Sequence, residues 1–362
     1  MLRQRMIGVG TVTTATKATA EKRVNLYGMG LEELTAFVQE LGEPAYRARQ
    51  LMEWFYGRHV TDFEAMTNLP KALRQTLAER ATVEAPTVAH VQESSDGTRK
   101  YLLRVADGET VEAVLIPEGQ RLTACLSSQI GCGIGCRFCA TALLGLIRNL
   151  APGEIAGQLA AIQQESGRRV TNVVMMGMGE PLANYASVMR ALRLMNHPLG
   201  FGLGARRLTI STVGIVPRIR DLAREELQVG LAVSLHAADD ETRDLLVPIN
   251  QRYPIAELMA ACRDYIEHTR RRVTFEYVLL RDVNDAQADA RKLASLLDGM
   301  LCHVNLIPFN PVPETGFERP DTAVIKRFRD ELTRRGIPAT VRRSRGSDID
   351  AACGQLRRRQ PV

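Results

Sequence analysis

Leu122-Thr-Ala-Cys-Leu-Ser-Ser-Gln-Ile-Gly-Cys-Gly-Ile-Gly-Cys-Arg-Phe-Cys139 runs from a short apolar segment into a glycine-rich loop carrying three cysteines, Cys132, Cys136 and Cys139, at C-x3-C-x2-C spacing. The apolar part, LTACLS (122–127), reads as a β-strand. Five more such runs follow it: VTNVVMM (170–176), RLTIS (207–211), VGLAVSLH (229–236), VTFEYVLL (273–280) and HVNLIPF (303–309). The segments between them are long enough for a helix each, so the pattern predicts parallel βα units and an α/β fold. In such architectures chemistry collects at the carboxyl ends of the strands, which is where the cysteine loop stands.

Three thiolates on a loop whose backbone can curl are able to converge on one small inorganic centre. On a cubane cluster three protein ligands leave one of the four irons open. A zinc site is the alternative, but it ordinarily wants a fourth Cys or His, which this loop does not supply. A chance grouping of core cysteines is the other.

Toward the N-terminus, residues 87–117 alternate in polarity and are broken by Ser-Asp-Gly at 95–97 and Asp-Gly at 107–108, which predicts a β-meander over 86–118. Before it, Leu31, Leu34, Phe37, Val38 and Leu41 recur at helical spacing, a second helix begins near Pro44, and a third runs from Pro70 to about Arg80. This gives a small helical domain over 25–85, readable either as a packing module or as an RNA-gripping appendage. Residues 1–24 carry five basic side chains against Glu21 and no aromatic residue, and are expected to be disordered. The core is placed at 119–345 and a C-terminal segment at 346–362.

The 362 residues are 45% hydrophobic and 24% charged, which excludes a wholly disordered or fibrous chain and suggests two or three units. No stretch approaches the ~18 apolar residues of a membrane helix, and the start lacks the apolar core of a secretory signal. Seven cysteines are too sparse for a disulfide scaffold and point to a reducing, cytoplasmic setting. The formal net charge of +6 is unevenly spread. Residues 1–24 hold five basic groups against one acidic and residues 340–362 six against two, which leaves the body at −2. A polyanionic partner would therefore meet the two ends.

On its motifs the chain resembles the radical S-adenosylmethionine (SAM) enzymes. Their three-cysteine loop follows the first strand of a partial (β/α)6 barrel, and Phe138 fits the aromatic position of that loop. The resemblance implies a [4Fe-4S] cluster on Cys132, Cys136 and Cys139, with SAM chelated at the open iron. Gly177-Met-Gly-Glu-Pro181, after the second strand, resembles the element that meets the SAM amino group and brings in Gly179 and Glu180. Ser211, then Ser234, Leu235 and His236, and finally Asn310 follow at successive strand ends, placed to contact the rest of SAM. Taken singly, each is more readily a cap, a turn residue or a satisfied histidine.

Three further segments resemble the RlmN/Cfr family of radical SAM RNA methyltransferases: Val111-Glu-Ala-Val-Leu-Ile-Pro-Glu118, Cys125-Leu-Ser-Ser-Gln-Ile-Gly131, and Arg345-Gly-Ser-Asp-Ile-Asp-Ala-Ala-Cys-Gly-Gln-Leu356. The match covers most of the chain and favours the RlmN branch. It implies that Cys353 carries a methyl group as S-methylcysteine and that Cys125 resolves an RNA adduct by forming a transient disulfide with it. It further implies that Glu112 accepts the proton of the ring carbon. The implied substrates are an adenosine of 23S rRNA in the peptidyl-transferase region, methylated at C2, and an adenosine beside the anticodon of tRNA. An electron donor, a disulfide reductant and a monomeric, membrane-free enzyme complete the expectation. The rivals are the Cfr type, acting at C8, and an iron–sulfur RNA-binding protein without methyl transfer. Cys262 and Cys302 read as core residues. Arg270–Arg272, Arg342, Arg343 and Arg345 read as solvated faces able to meet phosphates near the barrel mouth.

Overall fold

The computed structural model describes residues 23–357. The basic tail expected over 1–24 thus lies outside the described residues except for Arg23 and Val24, as do residues 358–362.

One ten-stranded sheet organises the chain. Its strands are β1 (Thr87–Glu93), β2 (Arg99–Arg104), β3 (Thr110–Glu118), β4 (Arg121–Cys125), β5 (Asn172–Met175), β6 (Leu208–Thr212), β7 (Gly230–Ser234), β8 (Val273–Leu279), β9 (Cys302–Pro308) and β10 (Ala339–Val341). Each is hydrogen-bonded to its neighbour in chain order. From β1 to β4 the pairing is antiparallel, as tight turns allow. From β4 to β10 it is parallel, with a helix in the crossovers. All six apolar runs form strands β4 to β9, and β10 adds a short seventh parallel strand. The meander is continuous with the same sheet through the β3–β4 pairing.

The crossover helices start and stop where their end residues dictate. Pro152 opens the helix Pro152–Ser166, the Glu154 carboxylate accepts the Ala151 N–H at 2.8 Å, and Gly167 closes the helix at φ 62°. Along β8 the side chains alternate: Phe275 and Tyr277 are fully buried, while Thr274 and Glu276 line the interior cavity. Each such aromatic contributes about 1.5–3 kcal/mol by leaving water.

At the N-terminal end the helices Leu31–Glu40, Tyr46–Met52 and Lys71–Arg80 pack around Leu34, Val38, Leu51 and Phe55. Val24–Asn25 pairs in parallel with Ala81–Thr82 and closes this bundle on itself. It joins the sheet-bearing body through Arg190, whose guanidinium lies 2.6 Å from Glu33. Among the described residues no helix is long and apolar enough to cross a membrane.

Candidate active site

The carboxyl ends of the parallel strands open into a cavity of about 760 Å³. The cysteine loop forms one wall of it. A small hairpin holds that loop, with Gln129–Gly131 pairing antiparallel to Leu146–Asn149 and the Cys132 N–H donating to the Gly145 carbonyl at 2.9 Å. Gly131 sits at φ 76°, where a Cβ would overlap the Gly145 carbonyl oxygen, so the hairpin can close only on glycine. Cys132, Cys136 and Cys139 all line the cavity. Burial raises all three thiol pKa values, to about 11 for Cys132, and the neighbouring thiols add to the effect. Among the described residues no three His, Cys, Asp or Glu side chains group tightly enough for a single ion. Three soft donors spread along a glycine-curled wall suit separate corners of an iron–sulfur cubane, whose positive irons would draw off the protons that burial retains.

Gly177 to Pro181 form the facing turn. The Ser127 hydroxyl accepts the Met178 N–H at 2.7 Å, and the side-chain amide oxygen of Gln129 accepts the Glu180 N–H at 2.8 Å. Gly179, at φ 96°, lies so close to Gln129 that a Cβ would stand 2.5 Å from that side chain. Met178 is fully buried and its sulfur accepts the Glu112 N–H, so the methionine ties this turn to β3. The Glu180 carboxylate is itself buried, accepting the N–H groups of Leu182 and Val213 at 2.9 Å each, and burial pushes its pKa up to about 7.

Ser211 and Ser234 face each other across β6 and β7, their hydroxyls 3.5 Å apart at the cavity wall. His236 also lines the cavity, in left-handed backbone at φ 62° and edge-on to Phe138 with ring centroids 4.7 Å apart. Its Nδ1 accepts the Val278 N–H at 3.0 Å, so the neutral ring carries its hydrogen on Nε2, and burial lowers its pKa to about 3. Leu235 does not line the cavity; its N–H donates to the Glu276 carbonyl.

The C-terminal segment covers the cavity from the side of β3 and β10. Asn310 donates to the Cys353 carbonyl at 3.2 Å and accepts the Ser344 hydroxyl at 2.6 Å, while the Gly354 carbonyl accepts the Ala140 N–H next to Cys139. Cys125 and Cys353 line the same cavity as the three-cysteine loop. Burial pushes the Cys125 thiol up to about 12, with the neighbouring Cys353 adding to the shift.

Glu112 lies apart from the cavity lining, behind residues 350–357. Its Oε2 accepts the Arg357 N–H at 2.9 Å, and its Oε1 is 3.8 Å from the buried Lys100 ammonium, which also donates to the Asp350 carbonyl.

Three residues whose burial the sequence does not mark complete the site. Arg243 is a fully buried guanidinium that donates to the carbonyls of Leu235, Val213 and Ser234 and to Asn250, clamping the ends of β6 and β7. Glu276 accepts the Asn305 amide at 3.0 Å inside the lumen. Arg342, expected on a solvated face, instead turns into the cavity beside the Met176 sulfur, where Cys353 and Glu276 favour its charged form against the cost of burial. The alternation of β8 could have flagged Glu276; nothing in the helix Asp240–Leu246 marks Arg243 as buried.

A parallel barrel-type sheet with a three-cysteine loop after its first parallel strand and a glycine–glutamate turn after the second defines a radical SAM enzyme. Residues 126–294 match the radical SAM superfamily, whose members use a [4Fe-4S] cluster and SAM, and residues 24–83 match the family described as ribosomal RNA large subunit methyltransferase N-terminal domain. The dual-specificity RNA methyltransferase RlmN of Alcanivorax borkumensis is 47% identical over 348 residues, covering 93% of this chain and 91% of that protein. Its namesake from Rhodospirillum rubrum is 50% identical over 92% of this chain and 80% of its own length. A radical SAM methyltransferase from Sphaerobacter thermophilus has the same fold, with a TM-score of 0.89 at 53% identity over 92% of this chain and 99% of that one. The chain belongs to the RlmN family of radical SAM RNA methyltransferases.

Proposed function

We propose that the protein methylates C2 of an adenosine in 23S ribosomal RNA, in the peptidyl-transferase region, and of an adenosine beside the anticodon of tRNA, with the incoming methyl group first carried on Cys353. The observation that supports this most is the shared cavity: a cluster-type cysteine loop and a separate pair of thiols, Cys125 and Cys353, line one space. An electron carrier or a simple RNA-binding protein has no use for the second pair.

A ring carbon between two nitrogens is electrophilic, so a methyl cation equivalent cannot be delivered to it directly. When bound, the reduced cluster and SAM supply a 5′-deoxyadenosyl radical, which is the hydrogen-abstracting power the reaction needs. The chain's own groups do the rest. The Cys353 sulfur takes a methyl group from one SAM, and that S-methyl group is the carbon from which hydrogen is removed. Its carbon adds to C2, and once the resulting radical has given up one electron, for which the oxidised cluster would be the acceptor, RNA is left joined to Cys353 through an S–CH2–C bridge. Glu112 accepts the proton lost from the ring carbon. Because Arg357 holds one oxygen of Glu112 here, Glu112 serves once residues 355–357 lift away. Cys125 then attacks the Cys353 sulfur, an S–S bond replaces the S–C bond, and the released carbon takes a proton to become the methyl group. An external thiol reductant and an electron donor restore the starting state. Ser211, Ser234, His236, Gly179, Glu180 and Asn310 orient SAM. The target base must leave its stack to enter the cavity.

Mass spectrometry of digested RNA, after reaction of the reconstituted enzyme with rRNA and tRNA fragments, tests this: 2-methyladenosine is expected, and 8-methyladenosine would overturn the assignment in favour of the C8 branch. Intact-mass analysis should show one methyl group on wild-type protein that is absent from Cys353→Ala. Cys125→Ala should accumulate protein covalently joined to RNA, and its recovery free of nucleic acid after turnover would exclude the resolving role.

A further inference from the structure

Arginines crowd the amino ends of the parallel strands. Arg121 opens β4, Arg168 and Arg169 stand in the loop before β5, Arg206 and Arg207 run into β6, and Arg270, Arg271 and Arg272 run into β8. The pairing register brings these positions level: Leu208 pairs with Val173, Thr209 with Gly230, and Leu231 with Val273, so the starts of β5 to β8 lie side by side. Neighbouring strands are about 4.8 Å apart, which spreads the arginines along an arc of roughly 19 Å from β4 to β8. All are exposed except the half-buried Arg271. Arg207 and Arg271 donate to the Thr171 and Gln228 carbonyls, and among the described residues none of the eight makes an ion pair. Carboxylates in the same loops are fewer: Glu225 is taken by Arg193, which leaves Glu118, Glu226 and Asp298.

The central cavity reaches this end of the sheet. Its lining includes Thr209, Thr274 and Thr340, each the second residue of its strand, together with Arg121 and Thr123 of β4. A barrel interior that serves only for packing carries branched apolar side chains at such inward positions. Just inside the arginine rim the lumen is walled instead by threonine hydroxyls and by Asn305, whose amide oxygen accepts the Thr340 hydroxyl at 2.9 Å. At the carboxyl end the same cavity is walled by the cysteine loop, the Gly177–Pro181 turn and the segment bearing Cys353. A single exposed arginine is ordinary surface. Eight unpaired ones on one rim repel each other unless a polyanion screens them, and the body as a whole is slightly acidic, so their concentration here does not follow from composition.

We propose that this rim is the face on which RNA docks: Arg168, Arg169, Arg206, Arg207, Arg270 and Arg272 hold phosphates on either side of the target nucleotide, and its extruded base enters the lumen from the amino ends of the strands. Phosphate contacts supply the sequence-independent part of the affinity, and guanidinium groups pair with phosphate oxygens two at a time. The base that leaves its stack is then met inside the barrel. Arg270 to Arg272 thus meet RNA at the end remote from the cysteine loop. The inference rests on RNA being the substrate, and not on which ring carbon is methylated or on the roles of Cys125 and Cys353.

The test titrates the full-length reconstituted protein with a fluorescent 23S rRNA fragment, and separately with tRNA, over a series of salt concentrations. The rim variant Arg168→Gln/Arg206→Gln/Arg272→Gln removes three exposed guanidinium groups that make no internal hydrogen bond among the described residues. A control, Arg263→Gln/Arg291→Gln/Arg327→Gln, removes the same charge from exposed positions on the helices Ile255–Thr269, Gln287–Leu296 and Thr322–Arg334. Melting temperatures confirm that both fold. The rim variant should lose about 2 from the slope of log affinity against log salt, and about 10-fold or more in affinity at physiological salt, while the control matches wild type. Equal losses in both would reduce the effect to net charge, and wild-type binding by the rim variant would place RNA elsewhere; either result overturns the proposal. Thr274→Phe narrows the lumen just inside the rim, and methylated RNA should fall about 100-fold; methylation at the wild-type rate would overturn the entry route. Absence of RNA binding by wild type would remove the RNA reading itself, a result distinct from wild-type binding with an unaffected rim variant. Formation of 2-methyladenosine by wild type is measured in parallel, so failure of the methylation assignment is seen separately.

Discussion

Arg243 and His236 show how much of the site rests on single buried polar groups. Arg243 supplies hydrogen bonds to three carbonyls and one amide from a side chain with no exposed surface. Arg243→Met would leave those acceptors unpaired, and the expected cost is about 3 kcal/mol or more, read as a lower denaturant midpoint. The displaced ends of β6 and β7 should also depress 5′-deoxyadenosine formation. His236 is held neutral by burial, its pKa lowered from 6.5 to about 3. The unfolded chain therefore takes up a proton below pH 6.5 that the folded chain refuses. The stability contributed by this group is complete above pH 6.5 and is lost as pH falls toward 3. His236→Asn keeps an acceptor for the Val278 N–H and tolerates the left-handed backbone. Between pH 7 and 5 it should lose about 2 kcal/mol less stability than wild type, and parallel melting curves against pH would refute that. The cysteines were readable from the sequence because their spacing is chemistry in itself. Arg243, Glu276 and the inward turn of Arg342 were not, because whether a charged side chain is buried is decided by strands and helices far along the chain.

At the level of elements, the alternation of apolar runs was enough to place β4 to β9, since a parallel strand covered on its outer face must be apolar there. The hairpin around the cysteine loop carries no such pattern. Its strands are only three and four residues long, and what specifies it is Gly131, where the backbone alone fits beside Gly145. The short β10 was equally invisible, being three residues added to an existing sheet edge. The turn after β5 gives the sharper test of element geometry. Gly179 combines a positive φ of 96° with close contact to Gln129, whereas Gly336 has a positive φ of 80° with nothing near its missing Cβ. Gly336→Ala should cost only the backbone strain, about 1 kcal/mol. Gly179→Ala should cost more and displace Glu180, so that SAM binding fails while Gly336→Ala binds normally. Equilibrium dialysis of the two reconstituted variants with labelled SAM makes the comparison.

For the whole molecule, the net charge of +6 resolves into basic ends around a slightly acidic body. Arg358 and Arg359 follow Cys353 by five and six residues in the sequence. If each meets one phosphate, replacing both with Ala should reduce the slope of log affinity against log salt by about 1.4, using the value for single strands. An unchanged slope would place the RNA elsewhere. The partition into ends and body was plain from counting, but the path of the C-terminal segment was not. It passes back to the turn between β1 and β2, where Ser94 donates to Asp348 at 2.6 Å and Asp96 accepts the Gly346 N–H at 3.1 Å. The strands lie in chain order, each beside the one that precedes it. A protein synthesised from its N-terminus can therefore lay down the entire sheet, and the cysteine loop within it, while Cys353 has yet to be translated. The segment carrying the residue that would join RNA to protein comes late in the chain and is fastened to the first turn of the sheet, so a chain cut short of it would lack the means to trap a nucleic acid.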